Sequence, residues 1–197
     1  MGDDPKPADT APADEHSAAD AQVIAATQAW LRNVVIGLNL CPFAKQPFAQ
    51  GRVRLRVSHA SNEDELLEDL GAELVALRHA EPEVCETTLL IHPGVLDDFF
   101  DYNDFLEVAD ALLLELGLEG ELQVASFHPD YQFADAPAEA AENCTNRSPY
   151  PMLHLLREDS VQRAVESVPD TDEIYRRNIR TLRELGVAGW RELMRKR

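Results

Sequence analysis

The fold is decided by a strand–helix–strand pattern in residues 52–92, which read RVRLRVSHASNEDELLEDLGAELVALRHAEPEVCETTLLIH. Apolar and polar residues alternate in its first part, with Val53, Leu55 and Val57 on one side, and this predicts a half-covered strand. Leucines then recur at helical spacing behind the capping residue Asn62, which predicts a helix. The run ETTLLIHP does not alternate, which predicts a strand buried on both faces.

A second helix and a third strand extend this pattern. Apolar residues recur at helical spacing over 102–116, and the strand-like run LQVASFHP follows Gly117. Such alternation is typical of parallel βαβ units with right-handed crossovers. We therefore predict an α/β fold with a small, mainly parallel sheet, helices packed on it and a helical C-terminal extension; a two-layer α+β ferredoxin-like arrangement is the alternative. Because three strands make a small sheet, we expect a further strand in a segment such as 131–134.

The N-terminal segment differs from the rest of the chain. Residues 1–20 hold six acids and no apolar periodicity, which predicts a disordered acidic tail. An amphipathic helix is predicted over about 21–38, with Asp20 as its cap and Asn39 in the left-handed turn that ends it. Residues 21–197 are predicted to form a single α/β domain that includes the C-terminal helices.

The composition excludes several classes of protein. The 197 residues carry 18 Lys and Arg against 36 Asp and Glu, a net charge of −18, which argues against binding to duplex nucleic acid. An apolar share of 45% is ordinary for a globular protein. No secretory signal or membrane-spanning run is evident, so we expect a cytoplasmic protein without a membrane partner. Three cysteines do not predict a disulfide framework.

Each predicted strand runs directly into a histidine: His59, His92 or His128. Because the carboxyl ends of parallel strands lie along one edge of a sheet, with neighbours about 4.8 Å apart, these imidazoles can converge. We predict His92 and His128 as catalytic acid or base groups, or, with His59, as ligands of a divalent transition metal. The alternative is that each histidine only bonds nearby backbone.

The stretch NCTNRSPYP, which leads into a further histidine, is the second candidate for a site. Arg147 offers a planar five-donor fork for a carboxylate or phosphate. Asn143, Asn146, Tyr150 and His154 would orient such a ligand, so we predict an anionic small molecule as substrate. Alternatively, Arg147 pairs with a nearby acid and the asparagines close turns.

The motif NLCPFA is the third candidate. Proline is favoured at the first position of a helix, which would place Cys41 at a helix N-terminus, where backbone amides lower the pKa of a thiol. This supports Cys41 as a catalytic or redox group. A buried, inert cysteine is the alternative, because no second cysteine follows at CxxC spacing.

Four segments of the chain resemble a bacterial family known as domain of unknown function number fourteen-fifteen. They read TQAWLRNVVIGLNLCPFA, TTLLIHPGVLDDFFDYNDFL, QVASFHPDYQF and NRSPYPMLHLLRE, and the likeness covers about residues 21–189. The resemblance implies a cytoplasmic bacterial protein, and it supplies no catalytic role.

The sequence leaves three functions open. The first is a small enzyme, a hydrolase or group transferase, that acts on an anionic small molecule with His92, His128 and Arg147 at the strand-end edge. No glycine-rich dinucleotide loop or Walker loop is present, so no nucleotide cofactor is expected. The second is a noncatalytic regulatory module that binds a ligand or a protein at this edge. The third is a thiol-redox protein that uses Cys41.

Overall fold

A mixed four-stranded sheet lies at the centre of the protein, in a computed structural model that describes residues 13–166 and 171–196. The strands are β1 (Val53–Val57), β2 (Thr87–Ile91), β3 (Leu122–Phe127) and β4 (Met152–Arg157). Their order in the sheet is β1-β2-β4-β3. Strand β2 is parallel to β1, and β4 is antiparallel to both β2 and β3. The α/β class is confirmed, but the sheet is mixed rather than mainly parallel.

The strand that makes the sheet mixed is β4, which the sequence analysis does not predict. Its sequence, MLHLLR, is a short apolar run that periodicity alone does not separate from part of a helix. The prediction of a further strand near residues 131–134 is wrong, because that segment is irregular. Nevertheless, β1, β2 and β3 all run in the same direction, so their carboxyl ends meet at one edge as predicted.

Helices cover both faces of the sheet. They are α1 (Ala13–Trp30), α2 (Lys45–Ala49), α3 (Glu63–His79), α4 (Phe99–Glu115), α5 (Glu158–Glu166) and α6 (Thr171–Arg195), with a π-helix at Leu31–Ile36 and a 3₁₀-helix at Ala141–Thr145. On one face, Leu153 and Leu155 of β4 pack with α3 and α4. On the other, Met152 packs with α1, the π-helix and α6. The arrangement therefore has three layers, unlike the two-layer alternative.

The helix ends follow local chemistry. The Asn62 side chain accepts a hydrogen bond from the Glu65 amide at 3.0 Å, as its predicted role as a cap requires. Asp98 caps α4 in the same way. Helix α1 begins at Ala13, so Asp20 lies inside this helix rather than at its cap, and residues 1–12 of the predicted tail lie outside the described residues. Asn39 has the predicted left-handed conformation, with φ of 53°.

None of the helices in the described residues has the length and apolar character that a membrane span requires.

Candidate functional site

The strand-end edge brings His92 and His128 together around one aromatic ring. The Tyr102 ring of α4 lies between them, with its centroid 5.8 Å from the His92 ring and 5.0 Å from the His128 ring. The Tyr102 hydroxyl donates to the Met152 carbonyl at 2.8 Å and accepts from the Phe127 amide at 3.1 Å. These bonds hold α4 against the end of β3 and the start of β4, with the Tyr102 ring in contact with both imidazoles.

His59 does not share this environment. Its side chain is half exposed, and its Nε2 atom lies 3.2 Å from the Asp20 carboxylate of α1. In the described part of the chain, no group of three or more His, Cys, Asp or Glu side chains is arranged to hold a metal ion.

Both buried histidines bond the backbone of the loop that follows β2. His92 Nδ1 lies 3.0 Å from the Val95 carbonyl, and His128 Nε2 lies 3.2 Å from the Leu96 carbonyl. His128 Nδ1 accepts from the Asp130 amide at 3.0 Å. These partners assign the hydrogen to Nδ1 in His92 and to Nε2 in His128. The histidines act together as a clamp on this loop.

Burial keeps both histidines neutral. Neither side chain is exposed to solvent. Burial lowers the pKa of His92 to about 4, with a smaller contribution from the nearby His128. Burial also lowers the pKa of His128, and the hydrogen bond to Leu96 opposes this shift. One atom is exceptional: Nε2 of His92 is buried and has no hydrogen-bond partner among the described residues.

The clamped loop forms one wall of a cleft at the strand-end edge. This rim cleft has a volume of about 460 Å³, and Asn62, Glu63, Asp64, Val95, Leu96, Asp97 and Asp101 line it. Leu96 is held at a φ of 59°, in the left-handed region that a leucine rarely adopts. The cleft lies between the N-termini of α3 and α4, and its charged lining residues are all acidic.

The polar residues of the long loop after β3 bond the loop itself. Arg147 donates from Nε to the Tyr131 carbonyl at 3.1 Å and from Nη2 to the Ala138 carbonyl at 2.8 Å. The buried Asn143 side chain accepts from the Phe133 amide at 3.1 Å and donates to the Pro137 carbonyl at 2.8 Å. The structure thus uses the predicted anion-binding groups to hold the loop in shape.

The remaining members of the predicted binding set lie apart from one another. Asn146 donates to the Ser126 carbonyl at 3.3 Å, and Tyr150 packs against the core that contains α6. His154 lies within β4, where its Nε2 atom is 2.8 Å from the Thr87 hydroxyl. Burial lowers the pKa of His154 to about 4. Asn146 thus lies in the loop, Tyr150 at a hydrophobic core and His154 in the sheet, so these three residues do not form one binding site.

Cys41 lies in a turn that α6 holds in place. Arg177 and Asn178 of α6 donate to the carbonyls of Asn39 and Leu40. Burial raises the pKa of the Cys41 thiol, and hydrogen bonds from the Phe43 and Ala44 amides oppose this shift without reversing it. The predicted place of Cys41 at a helix N-terminus is wrong, because α2 begins at Lys45 with Ala44 as its cap. The predicted lowering of the thiol pKa is also wrong, because desolvation of the thiolate outweighs the two amides of the turn.

Sequence reasoning missed the central role of Tyr102. The residue falls on the helical stripe that predicts core packing, and the structure buries it completely. A buried tyrosine hydroxyl needs hydrogen-bond partners, so its position on this stripe was the available signal. Its partners are backbone groups, which a sequence motif does not mark.

Fold and site together define a three-layer α/β protein in which strand-end histidines brace a loop beside an acidic cleft. The family described as Protein of unknown function (DUF1415) matches residues 22–192, and the chain belongs to this family. No curated protein and no solved structure matches the chain.

We expect the free energy of unfolding to fall as the pH decreases from 6.5 towards 4. Above pH 6.5, His92 is neutral in both the folded and the unfolded protein, since its ordinary pKa is 6.5. Below this pH the unfolded imidazole binds a proton, whereas the buried one does so only near pH 4. His92 alone contributes about 3 kcal/mol to the decrease. Urea unfolding at several pH values measures it.

The matched variant is His92→Asn, whose amide can still donate to the Val95 carbonyl but does not titrate. Its free energy of unfolding should decrease less over the same pH window, because the other titrating groups are unchanged. An equal decrease in the variant and the wild type would contradict the assigned burial of a neutral His92.

We expect Cys41 to react slowly with iodoacetamide, with a rate midpoint above the pKa of about 8.5 that free cysteine shows. Burial of the thiol is the reason. The Cys41→Ser variant supplies the background reaction of the buried Cys85 and Cys144. A midpoint below that of free cysteine would instead support the thiol-redox function.

Proposed function

We propose that the protein is a noncatalytic binding module that takes its ligand in the rim cleft. The observation that carries this proposal is the use of His92 and His128: both are buried, both have lowered pKa values, and both bond the loop that forms the cleft wall. A general acid or base must reach a substrate proton. Groups held beneath a loop are better suited to keeping a binding surface in one shape.

The charge of the rim cleft favours a ligand with an amine or guanidinium group. The residues that line the cleft include the acids Glu63, Asp64, Asp97 and Asp101, with no Lys or Arg among them. A cation in the cleft would therefore meet several carboxylates at once, although salt screens exposed charges. Arg147, on which the expectation of an anionic ligand rested, is bonded to loop carbonyls.

Calorimetric titration with spermidine at low ionic strength tests this proposal. We expect saturable binding that the double variant Asp97→Asn/Asp101→Asn weakens by about tenfold, since two exposed charge pairs contribute about 1–2 kcal/mol together. Asp98 remains in place, so the cap of α4 is retained.

The control is Asp104→Asn/Asp110→Asn, which removes the same charge from exposed positions of α4 outside the cleft. It should bind spermidine nearly as well as the wild type. Equal weakening by the two double variants would show a general charge effect and would refute a site in the cleft, as would a wild type that does not saturate.

A second candidate function is a hydrolase or group transferase, which the unpartnered Nε2 atom of His92 favours. This nitrogen carries a lone pair that can accept a substrate proton if the loop above it opens. Assays with phosphate esters and carboxylate esters should then detect turnover that His92→Asn abolishes while the folded structure persists. Equal turnover in the wild type and the variant would remove His92 from the mechanism.

A further inference from the structure

We propose a binding site for a small oxyanion, a phosphate or carboxylate group, at the edge of the sheet opposite the histidines. A cleft of about 320 Å³ lies there, where β3 begins and β4 ends. Its polar lining comprises Arg78, Glu121, Arg157, Asp159, Ser160 and Arg163. We call it the arginine cleft.

The guanidinium of Arg157 is held in place before any ligand binds. Its Nη2 atom donates to the carbonyls of Leu77, Ala80 and Cys85, the first at 2.7 Å and the last at 3.1 Å. Nε is buried without a partner, and Nη1 has no hydrogen-bond partner in the described part of the chain. Because Nε is buried, Nη1 is the nitrogen left to donate to a ligand. A guanidinium that is already fixed suits a planar or tetrahedral oxyanion, because little side-chain entropy remains to be lost.

Helix α5 supplies further donors to the arginine cleft. Arg163 Nη2 donates to the Ser160 hydroxyl oxygen at 2.9 Å, which leaves the hydroxyl hydrogen able to bond a ligand. Both residues line the cleft, and Ser160 lies in the first turn of α5, which begins at Glu158. The positive end of the helix dipole therefore lies at the same place and favours an anion.

The balance of charge selects a small anion. Arg78 is paired with Glu121 at 3.0 Å, so Arg157 and Arg163 remain against the single carboxylate of Asp159. The arginine cleft thus has a net positive charge in a chain whose net charge is −18. A volume of about 320 Å³ matches a small molecule that carries an oxyanion group.

Calorimetric titration with inorganic phosphate, and separately with malonate, tests the site. We expect saturable binding of one or both anions by the wild type at low ionic strength. Arg163→Gln should weaken binding by about tenfold, as expected for loss of one charge-assisted hydrogen bond. Ser160→Ala should weaken it in the same direction. Arg32→Gln removes an exposed arginine far from the cleft in sequence and should leave binding unchanged.

Preference for phosphate over malonate would identify a phosphate-bearing ligand, and the reverse preference a carboxylate. If neither anion saturates, or if Arg163→Gln and Arg32→Gln weaken binding equally, the proposal is overturned. If Arg163→Gln has a lower melting temperature than the wild type, Ser160→Ala provides the test instead. Unchanged anion binding by Ser160→Ala would then overturn the proposal. Spermidine binding by the same proteins reports on the rim cleft alone, so failure of either site is distinguishable from failure of the other.

Discussion

Strand β4 joins the two halves of the sheet by pairing with β2 on one side and β3 on the other. Because β4 runs antiparallel to β3, the chain leaves β3 and enters β4 at the same strand-end edge, where Phe127 pairs with Met152. The long loop between these strands therefore covers that edge. The His92 amide bonds the Pro151 carbonyl and the His128 amide bonds the Asn146 carbonyl, so the returning loop closes directly over both histidines. Burial of the imidazoles, and hence their neutrality, follows from the topology.

Periodicity predicts much of this fold because β1, α3, β2, α4 and β3 each carry a pattern of their own. The position of the histidines after three strands that run in one direction is likewise predictable. Strand β4 is not, since its place between β2 and β3 depends on contacts remote in the sequence. The hydrogen bonds of Arg147 cannot be predicted for a similar reason. Its partners are the carbonyls of Tyr131 and Ala138, and any residue supplies a carbonyl.

The two clefts lie at opposite ends of α3 and have opposite charge. Glu63 and Asp64 in its first turn line the rim cleft, whereas Arg78 in its last turn lines the arginine cleft. Acids at the start of a helix and bases at its end also stabilise the helix through its dipole. The same residues thus stabilise α3 and give the two edges of the sheet their different electrostatic character.

The π-helix at Leu31–Ile36 determines the direction around the helix axis in which the residues that follow it point. A π-turn holds about one residue more than an α-turn, so the phase of the chain would change if these same residues formed a regular α-helix. Its later residues would be rotated by about 100° around the axis. Asn39 and Leu40 would then turn away from Arg177 and Asn178. The extra residue of the π-helix therefore places the turn at Asn39 and Leu40 where α6 can bond it.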